Sequence, residues 1–245
     1  NYINTYAQAG QNEGINPLHM LVRSAQEGMD DPTYSSISGK YTSTYGKTTP
    51  EGYNLDGYYN YFNVWAYATE GFTTVGRGLV YAGGLLEDSS CITAELAEDG
   101  VTVVRHYYDE TKCPPLSDQR PWNTPEQAVV GGADFLNVRY ISKGQDKLYY
   151  QKFNVTYSPY YKNQYAQNIF DAQSIGSILK GYYKDAELLD SNFIFEIPLY
   201  KNMPSSAVKS PTVTSETGEL AYVNANGGLS LRATPNGDHL TYISE

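Results

Sequence analysis

Asn16–Gly28, "NPLHMLVRSAQEG", reads as a helix with both ends marked. Asn16 can cap it, and Pro17 sits at the first helical position, where its missing N–H costs nothing. Leu18, Leu21, Val22 and Ala25 recur at helical spacing and form one stripe to be buried, and Gly28 ends the element. Met20, Arg23, Ser24 and Glu27 then fall on the opposite face, toward solvent or a cleft. Glu27 is the last carboxylate on that face. A carboxylic acid on a rigid helix end suits proton donation to a leaving glycosidic oxygen. The plainer alternative is a solvated Glu27 paired with Arg23 four residues earlier.

Outward from this helix, residues 1–14 read as a polar lead-in and 30–56 as a Gly-, Ser-, Thr- and Tyr-rich loop. "GYYNYFNVWAY" follows at Gly57–Tyr67, where four tyrosines, one Phe and one Trp share eleven residues. Trp65 fits core or sugar platform equally well. "ITAELAEDGVTVVRHYY" (92–108) predicts a hairpin turning at Asp99-Gly100, and Cys91 and Cys113 bracket it as a pair that an oxidising compartment would join. "NTPEQAVVGGADFLNVRYISKG" (123–144) predicts a helix, with Thr124 and Gln127 at capping-box spacing, Pro125 at the first position and Gly144 as the stop. Trp122 reads as a staple against that helix. Residues 146–161 look extended or irregular. A third helix is expected over 162–185, burying Ile169, Ala172, Ile175, Ile178 and Leu179, with Tyr165, Gln164 and Asn168 near its start. "FIFEIPLY" (193–200) predicts a short strand. The Pro/Ser/Thr run at 205–218 reads as a linker, and 219–245 alternates as strands do.

The net charge of −10, from 27 acids against 17 bases, argues against nucleic acid as a partner. Tyrosine dominates the aromatics, at 25 against 7 Phe. Tyr joins an apolar face to a hydroxyl, which suits a sugar, although it is also simply a common aromatic of secreted proteins. Three scattered histidines and two cysteines offer no zinc pattern, so no metal or other cofactor is expected. No stretch is long and apolar enough for membrane insertion. The chain opens at Asn1 rather than Met, carries no leader signature and reads as a piece of something longer. Candidates for a second catalytic carboxylate are Glu51, Asp56 and Glu70. Glu95, Glu98, Asp109 and Glu110 read as the hairpin's solvated edge.

Five blocks in order, "NPLHMLVRSAQEG", "GYYNYFNVWAY", "RPWNTPEQAVVGGADFLNVRYISKGQDKLYYQKFNV", "NQYAQNI" and "FIFEIPLYKNMP", span 16–204. Together they resemble the glucosaminidases of glycoside hydrolase family 73, of the clostridial autolysin type. The resemblance implies an α+β fold: a mostly helical, lysozyme-like scaffold with a β-lobe over the cleft, here enlarged by an insertion at 84–119. It implies a secreted peptidoglycan hydrolase with Glu27 as acid, Tyr165 as a positioning group and Glu70 first among the second carboxylates. Tyr59, Asn60, Tyr61, Phe62, Asn63 and Tyr67 would line the groove, with Gln164 and Asn168 beside Tyr165. Without a second carboxylate, the substrate's 2-acetamido group could act as nucleophile. The partners implied are peptidoglycan glycan strands, and no protein partner is predicted. Residues 1–204 would be the catalytic domain, and "LSLRATP" within 219–245 resembles the opening of a truncated SH3-like wall-binding repeat. A muramidase or lytic transglycosylase on the same scaffold, or a wall-binding module without catalysis, are the competing readings.

Overall fold

The computed structural model describes residues 2–29, 31–41, 54–69, 71–166, 168–199, 201–202, 205–206, 229–232 and 239–243. The chain divides into two compact units, Asn1–Asn192 and Phe193–Glu245. The first unit is α+β and mostly helical, as expected. It contains α1 (Ile3–Glu13), α2 (Pro17–Ser24), the short α3 (Ser35–Ser38) and α4 (Thr74–Ala82). The hairpin β1 (Ile92–Leu96) and β2 (Val103–Tyr108) comes next, then α5 (Pro125–Arg139), the short α6 (Leu148–Lys152) and α7 (Asp171–Asp185).

Helix α2 starts as its sequence dictates, with the Asn16 side chain accepting from Leu18 N–H and Pro17 at the first position. It ends in a π-helical turn, Ala25–Met29, where Gly28 takes φ +112°. A Cβ there would also meet the Tyr34 ring at 2.6 Å, so the turn needs glycine twice over. The expected inward stripe is corrected. Met20, Val22, Arg23 and Ser24 are the buried residues of α2, whereas Leu18, Leu21 and Ala25 are half-buried. The face assigned to solvent or a cleft is packed because α1 and α7 both lie against α2.

Helix α1 replaces the expected polar lead-in. It buries Tyr6 and Ala9, packs on α5 and ends at Gly14 with a left-handed φ of 66°. Helix α5 is the central post. Thr124 caps it by accepting from Gln127 N–H, and Gln127 Oε1 accepts from Asn123 N–H. Its Gly131-Gly132 pair lets two rings reach the helix backbone. A Cβ on Gly131 would lie 2.1 Å from Trp122 Nε1, and one on Gly132 2.2 Å from a Phe62 ring carbon. Trp122 is fully buried and donates to Asp118 O at 2.8 Å. It is core.

The hairpin forms about Asp99-Gly100, with Ile92 opposite Tyr108 and a register shift after Glu95. Cys91 and Cys113 are disulfide-bonded, with Cα atoms 5.6 Å apart. Asn54 Nδ2 donates to Val104 O at 2.5 Å and Tyr58 Oη to His106 O at 2.8 Å. These bonds attach the hairpin at the start of the aromatic stretch.

Two further expectations are corrected. Helix α7 begins at Asp171, not at 162, and buries Asp171 and Ile175. Ile169 is exposed, Ile178 borders on exposed, and Ala172 and Leu179 are half-buried. Residues 154–166 are held instead by side-chain amides: Asn163 Nδ2 donates to Arg139 O and Gln145 Oε1, and Asn154 Nδ2 to Tyr157 O and Pro159 O. In the second unit, 193–199 has no regular secondary structure in place of the expected strand. There β3 (Leu229–Arg232) pairs antiparallel with β4 (His239–Ile243), within the segment expected to alternate. No described helix is long and apolar enough to cross a membrane.

Candidate active site

Glu27 stands in the π-helical turn that ends α2. Asn63 Nδ2 donates both to Glu27 Oε2, at 3.0 Å, and to the Glu27 carbonyl, at 3.1 Å. Both partners are acceptors, which fixes the orientation of the Asn63 amide. The Glu27 carboxyl is pushed above the usual carboxylate range. Burial is the main cause, opposed by the Asn63 hydrogen bond and the nearby Arg23 charge.

Arg23 does not pair with Glu27. Its Nη1 lies 2.9 Å from both carboxylate oxygens of Asp171, its Nη1 also reaches Gln26 Oε1, and its Nη2 reaches Gln151 Oε1. Both charged side chains are almost wholly excluded from solvent. Burial of a charge is tolerable only with such pairing, although Arg23 Nε itself is buried without a hydrogen-bond partner. The pair ties α2 to α7 directly beneath Glu27. His19, on the same helix, is pushed down to about 4, by burial first and then by the Arg23 charge.

The Tyr165 ring lies over the Arg23 guanidinium at 4.1 Å. Its hydroxyl donates to Phe62 O at 2.9 Å. The expectation of a hydroxyl mounted on a helix is therefore corrected, since Tyr165 precedes α7 on an irregular segment. Burial, and next the Glu27 charge, hold its phenol well above the ordinary value, so it stays neutral. Geometrically it fastens the Phe62–Asn63 turn against the floor of the site.

The aromatic stretch divides at Asn63. Before it, Tyr58, Asn60, Tyr61 and Phe62 are buried. Asn60 Nδ2 donates to Val64 O and Gly78 O, and Asn60 Oδ1 accepts from Val64 N–H. Asn60, Tyr61 and Phe62 thus have almost no surface to offer a ligand, against expectation. Tyr59 is half-buried, its ring against Gly39. After the division, Trp65 and Tyr67 face outward, and Asn63 and Trp65 take left-handed φ values of 46° and 58°. Such backbone is costly for a bulky residue and persists because the Asn60 bonds impose it.

Gln164 and Asn168 are engaged locally. Gln164 Oε1 accepts from Lys152 Nζ, and Asn168 Oδ1 from Phe170 N–H ahead of α7. Asp56 is paired with Lys40 and accepts from Tyr41 N–H. Glu51 and Glu70 lie outside the described residues. Asp171, Gln151 and the Arg23 network were missed from sequence. The one available signal was Arg23 directly after the apolar pair Leu21-Val22 inside a capped helix.

No family model matches the chain. Over 83 residues, 34% of the chain, it is 36% identical to the bifunctional autolysin of Staphylococcus aureus strains MSSA476 and MW2, and it spans 6% of that relative's length. It is 35% identical to the same protein of strain Mu50 over a segment of the same size. The crystal structure of autolysin E of S. aureus overlays with a TM-score of 0.45 at 18% identity, covering 75% of this chain and 59% of that one. A catalytic mutant of it in complex with the disaccharide NAG-NAM overlays with the same score at 17% identity, covering 75% and 60%. What this chain is similar to, over 34% of its length, is therefore a bacterial autolysin.

Proposed function

We propose that the chain is a peptidoglycan hydrolase, an endo-β-N-acetylglucosaminidase of glycoside hydrolase family 73. The observation that carries the reading is Glu27, a carboxyl with raised proton affinity on a rigid turn, held by Asn63. The partial identity to bifunctional autolysins supports it. Asn63 donates to Oε2 and so favours the proton on Oε1, which is free to pass it to the glycosidic oxygen. As the bond breaks, positive charge gathers at the anomeric carbon. Either a carboxylate from beyond the described residues, with Glu70 first, or the sugar's own 2-acetamido oxygen meets that charge. Arg23, Asp171 and Tyr165 act as positioning groups that keep the Glu27 turn and the Asn63 turn together. Trp65 and Tyr67 give the glycan strand its stacking surface. The disulfide fits a secreted enzyme working at the cell wall. Residues 205–218 would then link the catalytic domain to a wall-binding repeat at 219–245.

The test is digestion of purified peptidoglycan by wild type and Glu27→Gln, with borohydride reduction and mass spectrometry. Reduced N-acetylglucosamine ends from the wild type, lost in the variant, are expected. Reduced muramic ends would move the enzyme to the muramidases. No release by the wild type would sink the hydrolase reading.

A further inference from the structure

Beyond Asn63, Trp65 borders a cavity of about 380 Å³ lined also by Arg77, Tyr81, Glu87, Arg120 and Arg139, among others, and Tyr67 adjoins it through Arg77. Three guanidiniums converge there in a chain of net charge −10. Arg120 is neutralised: Asp118 takes its Nε, Glu87 takes its Nη1, and its plane lies 4.0 Å from the Tyr81 ring centre. Arg77 and Arg139 are different. Among the described residues neither has a carboxylate within ion-pair distance. Arg77 donates from Nη2 to Tyr67 Oη at 2.9 Å, and its Nε is buried without a hydrogen-bond partner. Arg139 lies over Phe135 at 5.6 Å. A guanidinium has five N–H donors, so both hold unspent donors beside stacked rings. Trp65 stacks on Tyr81 at 5.7 Å and Arg77 sits 5.0 Å from the Tyr67 ring centre. Trp65 is only two residues from Asn63, so their Cα atoms are at most about 7 Å apart. The segment whose Asn63 holds Glu27 thus runs on into one wall of the cavity.

We infer that this cavity is an oxyanion subsite in which Arg77 and Arg139 receive a carboxylate of the wall peptide while Trp65 and Tyr67 carry the sugar that bears it. The inference rests on the peptidoglycan reading. A carboxylate accepts two parallel N–H bonds from a guanidinium, a geometry that an amidated peptide cannot match. The subsite thus discriminates free-acid from amidated stem peptides.

The test uses the fluorescence of Trp65, since the only other tryptophan, Trp122, is fully buried. The probe is N-acetylmuramyl-L-alanyl-D-isoglutamate with one glutamyl carboxyl capped as the methylamide, titrated beside the form in which the other carboxyl is also amidated, into wild type, Arg77→Gln and Arg139→Gln. The probe has no glycosidic bond to cut, so binding is read apart from catalysis. The acid form should bind the wild type about tenfold more tightly than the amide. Each substitution should erase that preference. Arg139 is exposed, so Arg139→Gln serves if Arg77→Gln fails to fold. Equal binding of acid and amide, or a preference unchanged in Arg139→Gln, overturns the inference. Displacement of the probe by inorganic phosphate at equal concentration would also overturn it, in favour of a phosphate polymer. A wild type that prefers the acid form but releases no reducing ends leaves the subsite standing and removes the hydrolase reading. A wild type that cuts wall and shows no acid preference does the reverse.

Discussion

The floor of the site and the hairpin lobe are held by opposite means. Under Glu27, a buried Arg23–Asp171 pair joins residues 148 apart in sequence, with further hydrogen bonds from Gln26 and Gln151. In the lobe, a disulfide closes a span of 22 residues, and the flanking ion pair, Arg105–Glu95, is largely exposed. The floor depends on distant elements arriving together. The lobe is a local structure whose parts are neighbours before folding starts. The proposed proton donor thereby sits on a long-range scaffold, while the adjoining surface can vary without disturbing it.

The widest separation between the two regions should come from Glu27→Gln. General acid catalysis contributes about 10²- to 10⁴-fold, so activity on wall should drop by that order with the fold intact. Hairpin substitutions should leave the chemical step alone. Next come the ion-pair variants. Arg23→Met or Asp171→Asn leaves one charge buried and should cost about 3–5 kcal/mol, read by urea unfolding. The double variant Arg23→Met/Asp171→Leu should recover part of that loss, and equal loss in single and double variants would contradict the coupling.

Removing the disulfide by Cys91→Ser/Cys113→Ser should cost about 3 kcal/mol from loop entropy alone, with the lobe loosening first in hydrogen exchange. Asn63→Ala should lower kcat on wall by about tenfold or more through loss of one hydrogen bond to Glu27, with a smaller change in KM. It should also shift the alkaline limb of the pH profile upward, because that bond holds the Glu27 value down.

The remaining effects are those of pH on stability, and they have opposite signs. Folded Glu27 binds its proton more tightly than the unfolded chain does. Its contribution is complete below the ordinary carboxylate value and lost as pH rises through the folded one. Glu27→Gln should therefore melt above wild type at neutral pH and converge with it in acid. His19, folded at about 4 against an ordinary 6.5, contributes above 6.5 and loses that contribution as pH falls toward 4. His19→Asn should flatten the acid limb of a Tm-against-pH curve, and an unchanged limb would show that His19 is not its source.

The same division explains what could be read from sequence. The start of α2, the start of α5, the hairpin turn and the cysteine pairing are written in neighbouring residues, and each appears where its local chemistry puts it. The expected stop at Gly144 is corrected: α5 ends at Arg139, and Gly144 closes the separate 3-10 turn Ile141–Lys143. The inward face of α2 was misassigned because an arginine reads as outward until Asp171 is known to face it. The aromatic stretch could not be divided into inner and outer rings until Asn60 fixed the turn and the Gly131-Gly132 step admitted Phe62. Those two glycines were visible in the helix and carried the signal of a close approach. Helix α1 was missed because only Tyr6, Ala9 and Gly10 of its eleven residues are buried, too few for a periodic stripe.

The disulfide has a further consequence for the hairpin lobe. The exposed Asp99-Gly100 turn lies between Cys91 and Cys113. A protease that nicks the turn severs the backbone but leaves both fragments joined through sulfur. Such a clipped molecule would run as one band in a non-reducing gel and as two after thiol treatment. The hairpin tip is thus expendable wear surface, and a single cut there need not release the fragments.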